Sequence, residues 1–294
     1  MQGYLGSMPE TRIISALREI APDYDALLCD AWGVVHNGVE LFDGVEEALS
    51  QFRAKHGPVF ILTNAPRLSS VIPDQLDSLG LSREAYDGVV TSGDATLAAV
   101  RSFEGKPAFK LGPDKDNTIF DAFGIDYTEL EDAAFILCTG LFDDATETPE
   151  DYHELLGKAH ALNLPFVCAN PDIVVRRGKD LIYCGGALAE VYEKLGGNVI
   201  MAGKPHAPIY ELAYERLAEA RDGEKPKRIL VIGDGFNTDI LGANRQHLDV
   251  VFIADGISQD IGRNDQGRLD GQLVGDLLDQ RGLTATAAME ALKW

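Results

Sequence analysis

Four stretches of the 294-residue chain bring an apolar run or a helix boundary to a residue that can do chemistry. Leu27-Leu28-Cys29 ends on the carboxylate of Asp30, and Val59 to Leu62 ends on Thr63-Asn64. Lys204 lies between Gly203 and Pro205, and Ile229 to Ile232 gives way to Gly233-Asp234-Gly235. A buried parallel strand that stops on a polar residue delivers it to the carboxyl edge of its sheet, where open α/β folds place their chemistry. Taken alone, Asp30 is readable as a nucleophile or a metal ligand, but more readily as a helix cap or a surface residue. Asp234 narrows this, because two carboxylates at neighbouring strand ends repel unless a cation lies between them. A hard divalent ion, Mg²⁺, answers that need with a few carboxylates and several waters. Asp239, a turn further on, suits either a metal-bound water or the orienting of a lysine. Lys204 offers a fixed cation, with Pro205 read as the first residue of the next helix. Thr63-Asn64 adds a hydroxyl, an amide and backbone N–H groups near a helix start, a natural seat for phosphate oxygens. A nucleophile, a metal, a lysine and a hydrogen-bonding cradle are the parts that phosphoryl transfer requires.

The elements that must hold these residues follow from hydrophobic periodicity. Helical spacing of Ile13, Ile14, Leu17 and Ile20 predicts a helix over 9–20. A strand ending at Asp30 follows, then a helix from Asp43 (read as its N-cap) to Phe52, and a strand over 59–62. A helix over 68–79, a strand over 86–91 and a helix over 94–103 complete a strand–helix alternation that implies right-handed βαβ units and a parallel sheet. Gly105-Lys106-Pro107 then resets the rhythm. Strands over 108–111, 134–139 and 165–169, helices over 114–123, 149–162 and 186–195, and a hairpin around Arg177-Gly178-Lys179 make a second α/β module with its own core. From Gly203 the first module resumes: a helix over 207–220, strands over 228–232 and 249–254 with a helix over 240–246 between them, and a last helix over 287–292.

The formal net charge is −21, which disfavours nucleic acid and anionic membrane as partners and means that any phosphate site needs local cations or a metal. No apolar run approaches the roughly 20 residues that span a membrane. Cys29, Cys138, Cys168 and Cys184 form no Cys-x-x-Cys pair and read as buried reduced thiols, which suits a cytoplasmic protein. Residues 1–7 carry no signal-peptide pattern and read as loosely structured, and Met8 reads either as an alternative start or as the first residue after an added segment. Other patterns are weak. Gly233-x-Gly235 lacks the third glycine of a dinucleotide fingerprint, since Thr238 stands there, and the acidic turn lacks the spacing of an EF-hand. His153 and His160 are two helical turns apart and read as a solvated face.

Taken in order, Asp30, Leu62-Thr63-Asn64, Gly203-Lys204-Pro205 and the turn from Gly233 to Ile240 resemble the haloacid dehalogenase (HAD) superfamily. The spelling is closest to its class IIA phosphatases, relatives of the ribonucleotide monophosphatases and the phosphoglycolate and pyridoxal phosphatases. The resemblance runs from about Ala26 to Ile257. It implies a Rossmann-like α/β core over 1–103 and 200–294, interrupted by an α/β cap over 104–199 that selects the substrate and often mediates a homodimer. It implies Mg²⁺-dependent hydrolysis of a small phosphorylated metabolite through an aspartyl-phosphate on Asp30. Mg²⁺ would be held by Asp30, the backbone carbonyl of Trp32 and Asp234, with Asp239 as a further acidic group. Thr63 and Asn64 would bind the phosphoryl group, and Lys204 would neutralise it. Arg67 lies close enough in sequence to reach the phosphate edge. In the cap, Asn170 and Asp172 are expected to contact substrate, and Arg176-Arg177 reads either as a contact to substrate phosphate or carboxylate or as a surface or dimer feature.

The chain departs from that family at one position. The family's acid–base aspartate lies two residues after the nucleophile, where this chain has Trp32. Indole does no proton transfer at neutral pH, and general acid–base help contributes roughly 10²–10⁴-fold. Three readings stay open: hydrolysis confined to esters with good leaving groups, a substitute group such as His36 or a cap residue, or binding of a phosphorylated ligand without turnover. Dehalogenation fits poorly, since the Asp234/Asp239 turn suits a metal.

Overall fold

Ala26–Cys29 forms β1, with all four residues buried. The computed structural model describes residues 10–257 and 261–294. From β1 the chain alternates through α1 (Val45–Lys55), β2 (Val59–Thr63), α2 (Ile72–Ser78), β3 (Gly88–Thr91) and α3 (Ser92–Val100). A second run gives β4 (Ala108–Leu111), α4 (Asn117–Phe123), β5 (Tyr127–Thr128), β6 (Phe135–Cys138), α5 (His153–Ala161) and β7 (Phe166–Cys168). It continues with the hairpin β8 (Val174–Arg177) and β9 (Asp180–Tyr183), α6 (Gly185–Lys194) and β10 (Val199–Met201). The chain ends with α7 (Ala207–Glu219), β11 (Ile229–Gly233), α8 (Leu241–Arg245), β12 (Asp249–Ile253), α9 (Gly271–Asp279) and β13 (Ala287–Met289).

Two parallel sheets result. The larger has the order β13-β12-β11-β1-β2-β3, and the smaller, built from residues between α3 and α7, has the order β10-β7-β6-β4-β5. In the larger sheet β1 lies between β11 and β2, with Cys29 level with Ile232 on one side and Ile61 on the other. This register brings the residues that follow β1 and β11, and the last residue of β2, to one edge. Successive side chains of a strand point to opposite faces, so both faces of β1 are covered. Leu27 and Cys29 pack with Leu49, Phe52 and Leu76, whereas Ala26 and Leu28 pack with Tyr210, Leu217 and Ile240. The smaller sheet is layered in the same way, with Ile136 and Cys138 against Leu156 and Leu188, and Phe135 and Leu137 against Ile119 and Phe120.

Several local expectations are corrected by tertiary pairing. The segment expected as a helix over 9–20 is, from residue 10 on, an extended strap with short 3₁₀ turns at Leu17–Glu19 and Ala21–Asp23. The N–H groups of Ile14 and Leu17 donate to the carbonyls of Ala288 and Lys293, which takes them out of any helical ladder. The alanine-rich tail expected as a helix is strand β13, because completing the sheet beside β12 outweighs the helix propensity of alanine. The helix of this region is α9, whose N-cap Asp270 accepts from the N–H groups of Gln272 and Leu273. At α1 the N-cap is Gly44, in a left-handed conformation (φ 85°), not Asp43. Pro208 rather than Pro205 sits in the first turn of α7. α2 begins only at Ile72, so Thr63-Asn64 does not lie at a helix start. A π-helical turn, Phe236–Ile240, precedes α8. The four cysteines are buried and unpaired. No helix among the described residues is long and apolar enough to cross a membrane.

Ala288 has no exposed surface and packs in the layer with Val250 and Phe252. Ala288→Asp would bury an unpaired carboxylate there and is expected to cost at least about 2 kcal/mol in denaturant unfolding. An unchanged midpoint would contradict the buried strand.

Candidate active site at the carboxyl edge of the large sheet

Asp30 leaves β1 with its N–H on the carbonyl of Ile232, so the adjoining strand fixes its backbone. Lys204, on the chain returning from the smaller sheet, is 2% exposed, and its Nζ donates to Asp30 Oδ1 (2.5 Å) and Asp239 Oδ1 (2.7 Å). Asp30, Asp234 and Asp239 are all buried, and each offers an oxygen within 4.8 Å of the others. Asp234 Oδ2 accepts from the N–H of Ile257 at 2.5 Å, and Asp239 Oδ2 accepts from the N–H of Gly235 at 3.1 Å. The backbone closes tightly on Asp234. A Cβ at Gly33 (φ 83°) or at Gly256 would lie 2.0 or 2.1 Å from Asp234 Oδ2, so neither position admits a side chain.

Electrostatically this cluster is under-neutralised. Burial pushes the Asp30 carboxyl well above its usual range, Asp239 adds to the rise, and the ammonium of Lys204 opposes it. Asp234 is likewise raised, by burial first and by Asp239 second. Burial alone would lower the pKa of Lys204, but the carboxylates of Asp239 and Asp30 overcome it and hold the ammonium well above its ordinary value. Three buried carboxylates against one ammonium, with oxygen atoms as the only donors, form a set that a hard divalent cation fits.

The other residues singled out by the sequence fall in different places. Thr63 ends β2, buried, with its hydroxyl accepting from the N–H of Ala65 at 3.2 Å. The Asn64 side chain is committed at both ends. Its Oδ1 accepts from the N–H of Lys204 (2.7 Å), and its Nδ2 donates to the Lys204 carbonyl (3.1 Å) and to Asp172 Oδ1 (2.9 Å). Its amide therefore clips two segments to the sheet edge. Arg67 bonds Gln75 and lines a neighbouring cavity of about 150 Å³ rather than the one at Asp30. Asn170 also faces that neighbouring cavity. His36 is 1% exposed, its Nδ1 accepts from the N–H of Gly38, and burial lowers its pKa to about 4. It is a neutral group that lines neither cavity, which removes it as the substitute acid.

Asp30, Asp234, Asp239 and Lys204 line a cavity of about 410 Å³. Its roof is the segment Asp172 to Arg176 together with Leu181 of the hairpin. The consecutive arginines separate: Arg176 faces this cavity, whereas Arg177 is exposed and faces the smaller one. Trp32 lines both cavities, with its ring edge-on to His36 and pressed on Gly38, where a Cβ would lie 2.3 Å from it. Sequence reasoning missed the Ile257 N–H on Asp234 and the double role of Asn64. Neither has a spacing signature, since the partners of Asn64 lie 108 and 140 residues away.

Residues 27–126 match the family model for haloacid dehalogenase-like hydrolases, and residues 201–279 match a second, HAD-hydrolase-like model. An acid sugar phosphatase of Staphylococcus aureus (strain USA300) is 24% identical over 242 residues, covering 80% of this chain and 88% of that protein. A glycerol phosphate phosphatase from Mycobacterium tuberculosis, solved in complex with magnesium, is 25% identical with a TM-score of 0.62, covering 84% of this chain and 71% of the other. A haloacid dehalogenase-like hydrolase from Brucella suis 1330 superposes with a TM-score of 0.85 at 42% identity, over 95% of this chain and all of the other. A likeness of that extent, to a protein whose full length is matched, makes this chain a member of the haloacid dehalogenase-like hydrolase family.

Proposed function

We propose that the protein is a Mg²⁺-dependent phosphatase that hydrolyses a small phosphomonoester, such as a sugar phosphate or nucleotide, through an aspartyl-phosphate on Asp30. One observation carries this reading: Asp30 stands at the sheet edge with Lys204 Nζ 2.5 Å from its carboxylate and two further buried carboxylates within 4.8 Å. The likeness to a sugar phosphatase and to a glycerol phosphate phosphatase supports it. Asp30 would attack phosphorus, and Lys204 would offset the charge of both carboxylate and phosphoryl oxygens. Thr63 would bind the phosphoryl group through its hydroxyl. Asn64, whose amide is occupied, would contribute by fixing Lys204. Asp30, Asp234 and the Trp32 carbonyl would hold Mg²⁺, and Asp239 would keep Lys204 charged and oriented. Bound Mg²⁺ would stabilise negative charge on the transferring group.

A second reading has its own observation in Trp32, which puts an indole where the family carries its acid–base aspartate. On that reading the protein binds a phosphorylated ligand and turns it over slowly or not at all.

With p-nitrophenyl phosphate and Mg²⁺, Asp30→Asn is expected to lower kcat/KM on the order of 10³-fold or more. Equal rates in wild type and variant would remove Asp30 as nucleophile, and no turnover in either, with phosphate still bound, would favour the second reading. Metal binding is testable without turnover. Mg²⁺ at 100 times its Kd stabilises a native site by about 2.7 kcal/mol, so calorimetry should show a Tm that rises with Mg²⁺. Asp234→Asn is expected to remove most of that rise; an undiminished rise would place the metal elsewhere.

A further inference from the structure

Asp30, Lys204 and Asp234 would supply a nucleophile, a cation and a metal ligand, and the indole of Trp32 supplies no proton for a leaving oxygen. Resting on the phosphatase reading above, we propose that Asp172, from the roof of the cavity, is the general acid and base that replaces the carboxylate absent at Trp32.

Elimination and geometry point to it together. Five carboxyl groups line the Asp30 cavity: Asp30, Asp172, Asp234, Asp239 and Asp255. Asp30 is the nucleophile. Asp234 is the metal ligand of the reading above, and Asp239 is held by Lys204 and the N–H of Gly235. Asp255 is exposed and ion-paired with Arg263. Of the cations, Arg176 never gives up its proton at working pH, and Lys204 is bound to two carboxylates. Asp172 remains. It stands between β7 and β8, at the boundary shared by the two cavities. One oxygen, Oδ1, accepts from Asn64, while Oδ2 makes no hydrogen bond among the described residues. The same Asn64 amide holds both backbone groups of Lys204, whose ammonium sits on Asp30. A single side chain thus sets the roof carboxyl relative to the nucleophile. Burial raises the pKa of Asp172, with Lys204 and the Asn64 hydrogen bond opposing, which favours a carboxyl able to carry a proton.

The steps balance. As Asp30 attacks phosphorus, the bond to the ester oxygen breaks, its electron pair stays on that oxygen, and the Asp172 carboxyl proton moves to it. The alcohol departs and leaves Asp172 ionised. Asp172 then takes a proton from water as the water oxygen attacks the aspartyl-phosphate. The bond between Asp30 and phosphorus breaks, which releases phosphate and restores both carboxyl groups. Because the roof supplies the acid, cleavage of an unactivated ester requires the smaller sheet to be seated over the larger.

The test is leaving-group dependence in the full-length protein with Mg²⁺. A p-nitrophenolate leaves without protonation, whereas the alkoxide of glycerol 3-phosphate does not. Asp172→Asn keeps the size and an acceptor for Asn64. It is expected to lower kcat/KM on glycerol 3-phosphate by about 10²–10⁴-fold, to raise the aryl-to-alkyl ratio by at least about 10², and to produce a burst of p-nitrophenolate as the aspartyl-phosphate accumulates. In that background Trp32→Asp is expected to recover alkyl hydrolysis. Equal loss on both esters, with no burst, would overturn the assignment and make Asp172 a positioning residue. Aryl turnover that depends on Asp30 reports on the phosphatase reading separately, and its absence would sink that reading and this one together.

Discussion

Everything at the sheet edge depends on the ammonium of Lys204 being buried between Asp30 and Asp239. An isolated charge at 2% exposure would be untenable, and two carboxylates at 2.5 and 2.7 Å make it tenable. The reverse holds as well, since removing one partner of such a pair typically costs about 3–5 kcal/mol by leaving the other charge uncompensated. Lys204 nevertheless neutralises only one of three carboxylates. The excess negative charge is held in place by backbone: the Ile257 N–H on Asp234, the Gly235 N–H on Asp239, and glycines at 33 and 256 that let the chain close on Asp234. The fold supplies this structure because β1 lies between β11 and β2, so that Asp30 and Asp234 emerge side by side. A protein of net charge −21 gains no anion affinity from its surface. On the proposed reading, attraction for a phosphorylated ligand would come from Lys204, from Arg176 in the roof and from a bound cation.

The link between the two sheets is equally specific. Asn64 stands one residue past β2 on the large sheet, yet its amide grips Lys204 on the returning chain and Asp172 on the roof. Asn64→Asp would replace the donor to Asp172 and to the Lys204 carbonyl with a third acceptor, placing like charge beside Asp172. Gly203 is held small for the same reason, since a Cβ there would lie 2.4 Å from Ser92 Oγ and 2.6 Å from Asn64 Oδ1. The smaller sheet thus does more than cover the cavity, because its loop is tied through Asn64 to Lys204.

Much of the fold was legible because buried parallel strands are continuous apolar runs, and a carboxylate that ends such a run stands out. Asp30 and Asp234 stood out this way, Lys204 by its place between Gly203 and Pro205, and the family resemblance supplied the chemistry expected of them. Where pairing partners are remote, local pattern misled. Ile13 to Ile20 has helical spacing, but its backbone groups pair with the tail, and Ala287 and Ala288 carry high helix propensity but complete the sheet. His36 looked available because sequence carries no measure of burial, whereas its imidazole is enclosed beside Trp32 and accepts from Gly38. The commitment of Asn64 to two partners more than a hundred residues away had no local signal either.

Trp32 then takes on a meaning that the spacing alone did not convey. Its ring is wedged against Gly38 and His36 and forms part of the wall between the two cavities. A carboxylate at that position would belong to the same large-sheet edge as Asp30. With indole there, the loop from Ala31 to Phe42 gains a packed aromatic wall and offers no proton donor, so on the phosphatase reading the proton comes from the opposite side of the cavity. Asp172 meets that requirement only while Asn64 holds it. The same Asn64 amide that holds the acid also grips Lys204, so one side chain places the proton donor and the cation beside Asp30.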